Sequence, residues 1–218
     1  MYQTHLLQHV FVHYTALIIA LVVLLFFYIA FLFFLGSGFS FTGWLASIKN
    51  IMPAGGIAFT SGCSLSTMPW TIEGTSKNLK NKEFAKAVIP ATTNIQQIGD
   101  CIANTFLCCL IYKQFFGHLP DALTWISFST IFVLARFATA ACLGGAIFVM
   151  LPIYEGYLSF NAEMIAIILA FNVILDPLIT STNVIANGAL CKVYEKVWIY
   201  AQMLLDKLKS KKEPIINK

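Results

Sequence analysis

ILDPLITSTNVIAN, residues 174–187, carries an acid, Asp176, inside a long apolar run. This reads as a membrane helix holding a buried carboxylate rather than as part of a soluble core. On a 3.6-residue period Asn172, Asp176, Thr180, Asn183 and Asn187 fall within a narrow arc, so one carboxylate, one hydroxyl and three amides share a face. Such a face does not suit lipid. An ionisable side chain at membrane depth costs roughly 2.5–3.5 kcal/mol on insertion scales, so it usually faces a cavity or a substrate path. Pro177 removes one backbone hydrogen bond and frees the carbonyl of Val173 beside the acid. The competing reading is a buried polar patch that holds helices together.

Composition points the same way. The chain has 218 residues, of which 58% are hydrophobic and 11% charged, with a mean hydropathy of +0.77. That fits one integral membrane domain and not a globular enzyme. The formal charge of +4 comes from lysines clustered at 77–86 and 192–212. Clusters of this kind suit the positive-inside bias and imply no nucleic-acid partner. Cys63, Cys101, Cys108, Cys109, Cys142 and Cys191 form no CxxC pair and lie mostly in apolar runs, so they read as packing residues. No basic region precedes the first helix and its apolar run is too long for a signal peptide, so it is expected to stay as a span.

Residues 10–35 are almost unbrokenly apolar and long enough to cross the hydrocarbon core. Before them His5, His9 and His13 stand at i, i+4 and i+8, a spacing that suits either a metal or the interfacial entrance of the helix. The segment 43–76 is interrupted by Pro53, Gly55, Gly56, Gly62, Pro69 and Gly74 around the hydroxyl-rich centre TSGCSLSTMP. A re-entrant hairpin whose tip faces a cavity is expected there. The lysine-rich loop 77–86 marks the cytoplasmic side. Residues 84–117 form a helix broken by Pro90 and ATTNIQQIGD, and 119–158 form a second hairpin with the tip ATAACLGGA at 138–146. The polar-striped helix, 159–206, runs out into a basic cytoplasmic tail at 207–218. Loops 117–122 and 154–163 hold Asp121, Glu155 and Glu163 but no lysine or arginine, so they should face outside. A broken hairpin followed by an interrupted helix thus occurs twice, entering from opposite sides, which is the pattern of an inverted-repeat transporter. The expected fold is an all-α integral membrane transport domain over 1–206, with two re-entrant helical hairpins and two broken helices.

These residues resemble the dicarboxylate/amino acid:cation symporter family, and the likeness runs from the first helix to residue 192. SGCSLSTMP at 61–69 is similar to the serine-rich tip of the family's first hairpin, and PATTNIQQIGD at 90–100 to its broken seventh helix. ATAACLGGA resembles the second-hairpin tip, and ILDPLITSTNVIAN the eighth helix. The resemblance implies a secondary symporter that moves an amino acid or a dicarboxylate by alternating access, coupled to sodium or protons, with no enzymatic activity and no other cofactor. Asp176 would receive the substrate's amino group, and Asn183 its α-carboxylate, with Thr180 between them on the same stripe. Ser64, Ser66 and Thr67 would form the cytoplasmic gate, and Thr139 with Ala140 the external one. Thr92, Asn94, Gln96 and Asn187 would stand at the coupling-cation site.

The chain also departs from the family pattern. Ile179 and Gly62 occupy the positions where acidic amino-acid transporters carry an arginine. Asn94-Ile95-Gln96-Gln97 replaces an NMDG motif, and Asn187 replaces a sodium-binding aspartate, so two formal charges are lost. Arg136, the sole arginine, stands just before the second-hairpin tip; it is expected either to replace one bound sodium or to supply the charge missing at Ile179, or else to snorkel to the outer interface. The resemblance covers what would be the C-terminal half of a family member. A separate N-terminal half or a homo-trimer is therefore an expected partner besides the bilayer and the small-molecule substrate, and a fragment that does not transport alone is the alternative. The expected location is a bacterial inner (plasma) membrane with the C-terminus in the cytoplasm. A third class, an intramembrane aspartyl protease, would use Asp100 and Asp176 as its pair. Their contexts, Gln97-Ile98-Gly99-Asp100 and Leu175-Asp176, depart from the GxGD and YD motifs of such enzymes.

Overall fold

In the computed structural model residues 2–137, 139 and 145–210 are described, and among them every regular element is a helix. In chain order these are α1 (Tyr2–Gly36), α2 (Phe41–Ser61), α3 (Met68–Ser76), α4 (Lys82–Thr92), α5 (Ile98–Phe116), α6 (Ala122–Phe137), α7 (Gly145–Leu158) and α8 (Ala162–Ser210). Ala140, Cys142, most of the 138–146 tip and the tail beyond Ser210 lie outside the described residues, as do the side chains of His5, His9 and His13.

Local sequence sets the helix ends. Ser40 caps α2 by accepting the amide of Gly43 at 3.4 Å, and Gly62 ends it at φ +59, a left-handed conformation that other residues adopt at a cost. Asn81 caps α4 through the amide of Glu83. Asn161 accepts the amides of Glu163 and Met164 at the start of α8.

Helix α8 is the axis of the molecule, with α1, α2 and α5 packed along it. Every residue from Thr182 to Ala189 is buried. One core gathers Ile29, Phe33, Ile51, Val184 and Ala186 from α1, α2 and α8. A second gathers Leu107, Phe128, Phe132, Tyr154 and Ile168 from α5 to α8. Outward-facing positions are also apolar: Phe27 on α1, Leu123 on α6 and Val173 on α8 are 69%, 76% and 75% exposed. Two helices, Ile18–Gly36 and Ala162–Leu208, are long and apolar enough to cross a bilayer, which gives those outward side chains a solvent that suits them.

Two expectations about helix breaks need correction. α8 is one continuous helix of 49 residues, so the interruption expected in 159–206 is absent. Proline at 177 removes one N–H, and the carbonyl deprived of it belongs to Val173 on the exposed side, where a slight opening of the helix meets no packed neighbour. α2 likewise runs unbroken through Pro53, Gly55 and Gly56, and its break comes only at Gly62. The polar run after Pro90 leaves the helical conformation only at 93–97.

The α2–α3 pair is antiparallel. Asn50 Nδ2 donates to Asn78 Oδ1 (2.8 Å), and Asn78 Nδ2 returns to the carbonyl of Ser47 (3.0 Å). The following loop is tied to α8 by Glu195, 5% exposed, whose carboxylate accepts the amides of Lys80 (3.1 Å) and Asn81 (2.7 Å).

Candidate substrate and ion site

The polar stripe of α8 turns inward along most of its length. Thr180, Asn183 and Asn187 are buried, and Asp176 is half-buried, one turn before Thr180 on the same face. Asn172, one turn earlier, donates back to the carbonyl of Ile168 at 2.8 Å.

The first turn of α5 comes against this stripe at Gly99. A Cβ there would lie 2.8 Å from Asn183 Oδ1 and 3.0 Å from the carbonyl of Ile179, so only glycine lets the two helices approach this closely. The approach lets the Gly99 amide donate to Asn183 Oδ1 (2.8 Å) and sets Asp100 Oδ2 2.6 Å from Asn183 Nδ2. From α6, Arg136 Nη2 meets Asp100 Oδ1 at 2.5 Å. Arg136 is only 6% exposed, so it does not snorkel. Asp176 lies within electrostatic reach of both members of this pair. Asp100 and Arg136 thus form a largely buried ion pair with the half-buried Asp176 nearby, and the three side chains together carry a formal charge of −1. Ions in so dry a place are held only when partnered.

A second cluster, uncharged, sits further along the stripe. The Thr92 hydroxyl donates to Asn187 Oδ1 (2.7 Å), and Asn187 Nδ2 reaches Thr93 Oγ1 at 3.4 Å. Two of the expected cation-site residues thus meet. Asn94 and Gln96 lie in the α4–α5 break, where Gln97 Nε2 donates to the carbonyls of Asn94 (2.8 Å) and Thr139 (3.3 Å). The break is thereby joined to the residue expected at the external gate. Beside it, between α5 and α6, opens a cavity of about 460 Å³ lined in part by Gln97, Cys101, Thr105, Trp125 and Ser129.

The turn between α2 and α3 is less engaged with the stripe. Ser64 and Thr67 are buried and Ser66 is exposed, and the Ser66 and Thr67 hydroxyls both donate to the carbonyl of Cys63 at 2.9 Å. These two close their own turn.

Asp100, which the sequence singles out only as half of a protease pair, lies instead beside Arg136 and Asn183. The signal was present. A lone arginine in an apolar chain needs a carboxylate, and Asp100, at the end of the polar run after Pro90, and Asp176, inside an apolar run, are the aspartates nearest such segments.

A model of the sodium:dicarboxylate symporter family matches residues 2–197. The chain belongs to that family. No curated protein and no solved structure matched it. Membership places this chain in a membrane transport family, one whose members move small molecules with a coupling ion. Its two long apolar helices and its inward-turned polar stripe are the physical features such a role requires.

Proposed function

We propose that this symporter moves an amino acid or a dicarboxylate across a bacterial inner membrane by alternating access, coupled to sodium or protons, with its C-terminus in the cytoplasm. The observation that carries the reading is the cluster of Asp176, Thr180, Asn183, Asp100 and Arg136, which offers anionic and cationic partners at one place among apolar helices. Asp176 takes the substrate's ammonium, and Asn183 with Arg136 its carboxylate. Thr92, Asn94, Gln96 and Asn187 serve the coupling ion as a neutral set, so a monovalent cation bound there adds a charge that the −1 cluster nearby can balance. The pairs α2–α3 and α6–α7 act as re-entrant hairpins whose tips gate the site, the first with Ser64, Ser66 and Thr67, the second with Thr139 and Ala140. A homo-trimer or a separate N-terminal half supplies the fixed surface against which this domain moves.

Uptake of radiolabelled amino acids and dicarboxylates into proteoliposomes, with sodium and proton gradients imposed separately, tests the reading. Uptake driven by one gradient and abolished by Asp176→Asn is the expected result. Absence of uptake from folded protein would favour the alternative, a domain that does not transport alone.

A further inference from the structure

The two oxygens of Asp100 are held by donors from different helices. Oδ1 takes Arg136 Nη2 from α6 at 2.5 Å, and Oδ2 takes Asn183 Nδ2 from α8 at 2.6 Å. The two donors are thus spaced to grip one carboxylate group. The other ion pairs among the described residues, Lys77–Glu73 and Lys86–Glu83, are exposed and join near neighbours in sequence, so this pair stands apart. It is also incompletely satisfied. Arg136 Nε is buried and has no acceptor, although a guanidinium placed only to fasten helices gains most when its whole donor fork is used.

We infer that Arg136 and Asn183 form a receptor for a ligand carboxylate, and that Asp100 is its resident occupant, displaced when the ligand arrives. The inference deepens the proposed function, since it assigns the ligand's anchoring group within that same site. The incoming carboxylate takes the two donors and has the unused Nε within the same guanidinium. Asp100, once released, joins Asp176 in facing the ligand's positive end. Charge decides the ligand class. A zwitterionic α-amino acid leaves the cluster at −1, whereas a dicarboxylate carries it to −3, so the receptor suits a ligand with one carboxylate and one ammonium. In the empty protein Asp100 keeps the guanidinium from standing unpaired. The same contact weakens ligand binding, because apparent affinity falls with the fraction of molecules whose binding groups are free; if that fraction is about a tenth, affinity falls roughly tenfold.

The test is thermal unfolding of the purified full chain in detergent, as wild type, Asp100→Ala and the double variant Asp100→Ala/Arg136→Gln, titrated with sodium acetate against sodium chloride. Asp100→Ala should unfold at a lower temperature than wild type and regain stability with acetate but not chloride. Wild type should need at least about tenfold more acetate for its response, and the double variant should show none. Asp100→Asn, which keeps an acceptor for Asn183, is run alongside. If neither single variant responds to acetate beyond the double variant, or neither folds even with acetate present, the inference is overturned and the pair only fastens helices. Proteoliposome uptake by wild type is read separately. Uptake without acetate rescue sinks the inference and leaves the proposed function standing, and rescue without uptake does the reverse.

Discussion

Replacing Glu195 by alanine should release the loop between α3 and α4 while leaving the helical core intact. The carboxylate is 5% exposed and accepts the backbone amides of Lys80 and Asn81 at 3.1 and 2.7 Å. A hydrogen bond to a charged group contributes about 1.5–3 kcal/mol. Two such bonds set an upper value near twice that, but both donors belong to exposed residues, so water replaces much of what is lost. Relief of the buried charge offsets a further part. A net local loss of about 2 kcal/mol follows, which corresponds to a roughly 30-fold rise in the open population of the loop. Limited trypsin digestion reads this directly, because Lys80 and Lys82 lie in or beside the tether. Cleavage after them should accelerate by that factor when closing outpaces cleavage. Cleavage after Lys77 should change less, since Asn78 remains fastened to Asn50 and Ser47. Glu195→Gln keeps one carbonyl acceptor and should fall between wild type and alanine. Cleavage of the alanine variant at the wild-type rate would refute the tether.

Gly99→Ala should destabilise the protein by about 1–3 kcal/mol, since the new methyl meets the Ile179 carbonyl and Asn183 Oδ1 and forces α5 from α8; a shift in the thermal unfolding midpoint checks this. Asp121 gives a pH effect. Its carboxylate accepts the Thr124 amide (3.0 Å) and hydroxyl (2.6 Å), and these bonds hold its pKa below the ordinary aspartate value. A depressed pKa means a contribution present above the unfolded value, near 3.9, and lost as pH falls through the folded value. Hydrogen exchange at the start of α6, corrected for intrinsic rates, should therefore be steady from pH 7 to about 5 and accelerate below about 4, and Asp121→Asn should abolish that dependence.

The helical class and the inward polar stripe were legible because both depend on periodicity and composition, which a sequence displays directly. Gly62 and the polar run after Pro90 also announced the ends of α2 and α4, where backbone conformation follows local residue type. Pro177 misled for a tertiary reason, since whether a proline breaks a helix depends on what surrounds the carbonyl it deprives, and at Val173 that side is open. Thr92 and Asn187, 95 residues apart, were placed together through family resemblance, and the structure brings them within 2.7 Å. The Asp100–Arg136 pair was harder to read. It depends on Gly99 admitting α5 to the surface of α8, a close approach that composition leaves unmarked.

The length of α8 has a mechanical meaning. At a rise of 1.5 Å per residue, 49 residues make a rod of about 74 Å, well beyond the roughly 45 Å of a whole bilayer with its headgroups. Asn183 and Leu208 lie on one rod some 37 Å apart. A tilt of ten degrees about the polar cluster, taken as an illustrative pivot, would carry Leu208 through about 6 Å. The far end of α8 would be a pointer for such a tilt, against which the Glu195 tether to the α3–α4 loop holds, and a spin label near Leu208 would show whether the rod moves there.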